Sequence, residues 1–197
     1  MFIPRHPVVE NQFCQFAETS ISGGVGGVLA YAGSVCYLVN SAAQQEAIVN
    51  IYGTVAPSNG MERIPFGFLM QKVKTGYHQV HPTGYYMPGD LGSSDVVAQP
   101  KFNANGQITG TKTAPVGVAH LGIWDTVHYT VDAVGTDAMK PGEFLFVASA
   151  DSKLTNGTAL TNVTTQTARV VKGANAAQCQ ANINNTTLYP IRIKLLI

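Results

Sequence analysis

His78-Gln79-Val80-His81 has the spacing at which two imidazoles can share a metal ion on a helix. Gly76 and Pro82 flank it, so the segment is expected to be extended or turning, and no third ligand lies close in sequence. His120, His128 and Asp125 suggest parts of a nucleophile-activating triad, but no Ser stands in a strand-to-helix elbow. Strand histidines in uncharged surroundings read instead as cross-strand polar partners. Asp90 with Asp95, and Asp132 with Asp137, are carboxylate pairs of the kind glycoside hydrolases use. All four lie in turn-rich sequence, where Asp hydrogen-bonds to its own backbone. Tyr77, Tyr85 and Tyr86 could stack on sugars or on a protein partner; the scarcity of Lys and Arg around them disfavours nucleic acid. The Gly-rich run from Ser20 to Gly33 lacks the Lys-Ser/Thr of a phosphate loop and reads as a turn or bulge. The chain therefore reads as no enzyme, with no metal and no cofactor; a hydrolase built on scattered carboxylates is the weaker reading.

The elements that would carry these residues are mostly strands. Residues 1–20 form an extended arm, held so by Pro4 and Pro7, with Phe2, Ile3, Val8, Val9, Phe13 and Phe16 as apolar anchors. Such an arm lies either on its own domain or on a neighbour's. Residues 21–95 form a loop-rich β region: a strand at Gly33–Val39, a short helix near Ser41–Asn50, strand character at Ile48–Tyr52, and another strand over Phe66–Val73. Residues 96–197 form a β-barrel or sandwich, and 21–197 could be one continuous domain. Its strands are expected at 96–98, 107–109 after the Asn105-Gly106 hairpin signal, 116–123, 126–134, 143–148, 167–171 and 189–197. Ala174–Asn182 reads as a second short helix. Lys140-Pro141-Gly142 sets a turn. Phe144, Phe146 and Ala148 alternate with Leu145 and Val147, so both faces of that strand are expected to be covered. The fold class is mainly β, a small barrel or sandwich with one or two short helices and the arm.

Composition narrows the partners. Charged residues make up 12% of the 197, about half the ~25% usual in soluble domains. Net charge is +1, so there is no basic footprint for nucleic acid or an anionic membrane. An uncharged polar surface suits a protein packed into an assembly. Cys14, Cys36 and Cys179 are odd in number and widely spaced, and are expected to be free thiols. Met1–Pro7 has no long apolar core and reads as no export signal; the sequons at Asn156, Asn162 and Asn185 then read as by-products of Asn and Thr richness.

Pro115–Thr155 resembles a family of small bacteriophage capsid decoration (cement) proteins. The likeness rests on Pro115-Val116-Gly117-Val118-Ala119, the turn Met139-Lys140-Pro141-Gly142, the strand Phe144-Leu145-Phe146-Val147 and the turn Asp151-Ser152-Lys153-Leu154-Thr155, where the family usually has Gly at the place of Ser152. The resemblance implies a non-enzymatic virion protein on the capsid surface, bound to the major capsid protein lattice and self-associating. A tail- or fibre-associated structural or glycan-binding protein is the alternative. The contact residues expected for assembly are Phe2, Ile3, Phe13, Phe16, Tyr85, Tyr86, Leu195 and Ile197.

Overall fold

The structure is a computed structural model, and it describes residues 2–5, 10–17, 19–20, 28–39, 47–53, 60, 62–75, 96–98, 100–111, 114–148 and 152–197. Its strands are β1 (Phe2–Pro4), β2 (Glu10–Phe16), β3 (Thr19–Ser20), β4 (Val28–Ala30), β5 (Val35–Leu38), β6 (Ile48–Ile51), β7 (Gly67–Leu69), β8 (Val73–Thr75), β9 (Val96–Ala98), β10 (Pro100–Phe102), β11 (Ile108–Thr111), β12 (Ala114–Leu121), β13 (Ile123–Thr126), β14 (Tyr129–Thr130), β15 (Phe144–Val147), β16 (Leu154–Thr155), β17 (Ala168–Lys172) and β18 (Ile191–Leu195). Among the described residues there is one helix, α1 (Ala176–Ile183), which precedes the last strand. The fold is mainly β, as expected. A closed barrel runs β12-β2-β6-β5-β7, and a seven-stranded sheet runs β1-β13-β18-β17-β15-β16-β14. Two three-stranded sheets, β10-β11-β3 and β4-β8-β9, complete the pairing.

The long track from Ala114 to Thr126 joins the barrel to the large sheet. β12 belongs to the barrel and β13 to the sheet, with Gly122 between them at φ +119°. That angle is open to Gly and costly for other residues. The N-terminal residues run antiparallel beside this track: β2 pairs with β12 and β1 with β13. The barrel interior holds Cys14, Phe16, Cys36, Val49, Leu69, Val116 and Val118. The second core lies against the large sheet and includes Trp124, Tyr129, Leu145, Val147, Leu154 and Ile193. β18 alternates as its sequence predicts, with Ile191, Ile193 and Leu195 inward.

Strand pairing crosses both expected boundaries: β2 pairs with β6, and β8 with β9. The described part of the arm is thus three strands of this fold: β1 in the large sheet, β2 in the barrel and β3 beside β11. Ile48–Ile51 is strand as expected, while residues 40–46 of the proposed first helix lie outside the described residues. The second helix forms at Ala176–Ile183, started by an Asn175–Gln178 capping box. Phe66–Val73 is divided into β7 and β8. The expected strand over 126–134 shortens to Tyr129–Thr130. Thr126 ends β13 instead, and the stretch after Val131 turns, with Asp137 accepting the Ala133 N–H at 3.0 Å. Asp137 therefore does turn chemistry, whereas Asp132 accepts the N–H of Thr158, 26 positions away, at 3.4 Å. The β15 face of Leu145 and Val147 is buried, and the other face is covered in part: Ala148 is buried and Phe146 half-buried, while Phe144 is exposed with the Arg169 guanidinium 5.3 Å above its ring.

Candidate assembly surface

Phe2 is stacked 4.4 Å from Trp124 and 5.9 Å from Phe68, between ring planes tilted by only 6° and 11°. It plugs the junction where β13 leaves the barrel and is buried. Behind it, Arg5 continues the pairing through its N–H to the Ile123 carbonyl at 2.8 Å. The Arg5 Nε reaches Asp125 Oδ2 at 2.6 Å, and the Arg192 Nε reaches Oδ1 at 2.8 Å. Burial pushes the Asp125 carboxyl up, but hydrogen bonds from Arg192 and Arg5 outweigh it and hold the acid below its ordinary range. Asp125 is therefore an anchor for the arm, and its role is structural.

These contacts remove several expected assembly residues from the surface. Phe2 and Leu195 belong to the large-sheet core, Phe16 to the barrel core, and Ile197 packs against the former from a partly buried position. Ile3 is half-buried on an outer strand of the large sheet. The physical reason is the alternation of a paired strand: once β2 is a barrel strand, Cys14 and Phe16 point inward and Phe13 outward. Phe13 is 82% exposed. Beside it lies a shallow recess of about 340 Å³ lined by Phe13, Cys14, Gln15, Ala47 and Pro115, none of them charged. Tyr85 and Tyr86 lie outside the described residues, as do Tyr77, His78, His81, Asp90 and Asp95.

One buried polar pair joins a serine to a histidine. Ser34 Oγ lies 3.0 Å from His128 Nε2, a nucleophile-to-base distance. Both residues are buried, and the same Oγ accepts the Tyr31 N–H at 3.2 Å inside its own turn, while the Tyr31 ring stacks on His128 at 5.2 Å. Gly33, at φ +93°, lets that turn approach Thr126 so closely that a β-carbon there would sit 2.7 Å from the threonine hydroxyl. The pair fastens the β4–β5 turn to the β13–β14 connection. Its members stand 94 positions apart, a separation that leaves no local pattern in the sequence. His120 meets Phe66 edge-on at 4.7 Å. Among the described residues, no three His, Cys, Asp or Glu side chains are grouped to hold a metal. Cys14, Cys36 and Cys179 are free and buried.

No protein-family model, curated protein or solved structure matches the chain.

Proposed function

We propose that this chain is a non-enzymatic virion structural protein that decorates or cements a phage capsid by binding the lattice of its major capsid protein. The observation that carries the reading is Phe13, an aromatic side chain 82% exposed on a fully formed barrel strand, beside an uncharged recess. Fold stability gives no reason for a phenyl ring there, whereas interface hot spots are commonly aromatic. The low overall charge and the resemblance of Pro115–Thr155 to decoration proteins support the same reading. Burying one Phe side chain stabilises by about 1.5–3 kcal/mol, or about 10- to 100-fold in affinity at each site; many copies on one lattice multiply the effect on the particle. The test adds the purified chain to capsids prepared without it and follows co-sedimentation. Saturable binding is expected for the native chain, and binding at least about tenfold weaker for Phe13→Ser at an unchanged melting temperature. Failure of the native chain to bind would refute the capsid assignment.

A further inference from the structure

A net charge of +1 conceals a basic face that only strand pairing brings together. Alternation along β18 turns Ile191, Ile193 and Leu195 inward and Arg192 and Lys194 outward. On one side of β18, the register sets Arg169 of β17 opposite Lys194 and Lys172 opposite Arg192. On the other side, Lys194 faces Ile123 and Arg192 faces Asp125, and Arg5 continues the row beyond Ile123. Five of the chain's 12 lysines and arginines, Arg5, Arg169, Lys172, Arg192 and Lys194, therefore share the outer face of the large sheet. Asp125 is the one acid among the described residues of that face.

Like charges directly opposite one another weaken an antiparallel pair, so the Arg169–Lys194 pairing costs the fold stability. Asp125 relieves only Arg192 and Arg5, which bond to it at 2.8 and 2.6 Å. Arg169, Lys172 and Lys194 are exposed and form no ion pair among the described residues. Arg169 is fixed without being neutralised: its Nε donates to the Gly142 carbonyl at 3.1 Å, and its guanidinium lies over Phe144. Three uncompensated cations on a rigid sheet call for an anionic occupant, and the surroundings narrow its class. Single-stranded nucleic acid is held by rings open to base stacking, whereas the ring beside these cations already carries Arg169. Basic segments that hold an anionic leaflet cluster about 4–8 cations, more than are unpaired here. A second copy has little to offer, because Asp137 and Glu143 hold N–H groups of their own turns and Asp132 accepts the Thr158 N–H. Phe144 and Val171 are exposed beside the cations. A protein surface can meet both kinds of group, with carboxylates for the cations and apolar side chains for these two.

We propose that the outer face of the large sheet docks an acidic protein surface, whose Asp or Glu carboxylates pair with Arg169, Lys172 and Lys194. The proposal rests on the capsid reading above for where that surface lies, on the lattice of the capsid protein. Arg5, Asp125 and Arg192 are already engaged with one another and take no part in the contact.

The test uses the full chain and capsids prepared without it. Native co-sedimentation should weaken as sodium chloride rises from about 50 to 500 mM. Lys172→Glu combined with Lys194→Glu should weaken it at least about tenfold. The melting temperature of that variant should hold level or rise, because the exchange at 194 sets a carboxylate opposite Arg169. Lys74→Glu combined with Lys101→Glu makes the same change in net charge on other sheets and should bind as the native chain does. If the native chain binds and the face variant binds equally well, or both double variants lose binding alike, the face is refuted while the capsid reading stands. If the native chain does not bind, the capsid reading falls and immobilised poly-L-glutamate decides the face. Retention of the native chain there, lost in the face variant, keeps an acidic protein as its partner; no retention sinks both. Binding to poly(dT) or to phosphatidylserine vesicles that is tighter than to poly-L-glutamate and needs Lys172 and Lys194 would assign the face to nucleic acid or lipid. A changed oligomeric state of the face variant by light scattering would assign it to a second copy. Each of these last results would overturn the proposal.

Discussion

Ser152 should tolerate Gly better than Ala, although Ala is the usual conservative replacement for a buried serine. The residue is fully buried and has φ +51°, in the left-handed region, where a β-carbon costs roughly 1–2 kcal/mol. What holds it there is a two-way latch: its Oγ accepts the Tyr52 N–H at 2.5 Å and donates to the Tyr52 carbonyl at 3.0 Å. Its own carbonyl accepts the Val35 N–H at 3.0 Å. Ser152→Ala keeps the strain and strands the Tyr52 N–H in the core. A buried unsatisfied donor costs about 1–3 kcal/mol, and the lost bond to the carbonyl adds about 1 kcal/mol, so the loss should be about 2–4 kcal/mol. Ser152→Gly loses the same two bonds but relieves the strain, offset by about 0.5–1 kcal/mol of extra chain entropy in the unfolded state. Its cost should be about 1 kcal/mol smaller. Urea unfolding of the three proteins, with slopes compared for two-state behaviour, measures this order. An Ala variant as stable as the Gly variant would refute the strain argument. A loss below about 0.5 kcal/mol in both would refute the latch.

Three further outcomes follow from the arm and the cysteines. Because the Asp125 acid is held below its ordinary range, its ionised form is worth stability above an unfolded pKa of about 4. That contribution should disappear as pH falls through the lower native value, and Asp125→Asn should flatten the acid limb of a stability-versus-pH curve. Phe2→Ala should cost about 3 kcal/mol, the low end for a buried Phe, because a terminal strand can peel away; unchanged stability would show that the stack on Trp124 carries little. Burial, and secondarily Cys14 nearby, push the Cys36 thiol well above its usual value, while Cys14 borders the surface recess. Native labelling with iodoacetamide at pH 8 should therefore modify Cys14 before Cys36, with no disulfide in the unreduced mass; the reverse order would contradict the barrel's packing.

What could be read from the chain was whatever depends on near neighbours. Gly106 and Gly142 take positive φ at the turns their dipeptides announce, and the Ile191–Leu195 alternation survives intact because one face meets the core. The Asn175–Gln178 capping box starts the helix within two residues of its expected position. Pairing over long separations left no such trace. Nothing local says that Phe2 stacks on Trp124, that Arg5 meets Asp125, or that Ser34 meets His128. The assembly residues expected in the arm and the tail are apolar side chains, and apolarity does not distinguish a strand's inward side from its outward one until its partners are known. Of the arm's described anchors, Phe2, Ile3, Phe13 and Phe16, only Phe13 is exposed, set by the parity of β2 against β12.

The same pairing bears on how assembly and folding are divided along the chain. An arm free to dock would have to leave β13, exposing Trp124 and separating Arg5 from a nearly buried carboxylate that Arg192 alone would then hold. Arg5 is itself 45% exposed, so losing its ion pair costs only about 1 kcal/mol, and uncovering the Phe2–Trp124 stack adds about 3 kcal/mol, a penalty any lattice contact would first have to exceed. Phe13 carries no such penalty. It is already in solvent, on backbone fixed by β12 and β6. A contact made through it adds to the fold without unmaking any of it. Deletion of residues 1–5 should accordingly lower the melting temperature and leave binding per folded molecule unchanged, whereas Phe13→Ser should do the opposite. If deletion abolished binding by molecules that circular dichroism still showed folded, the arm would be the docking element and this division of labour would be wrong.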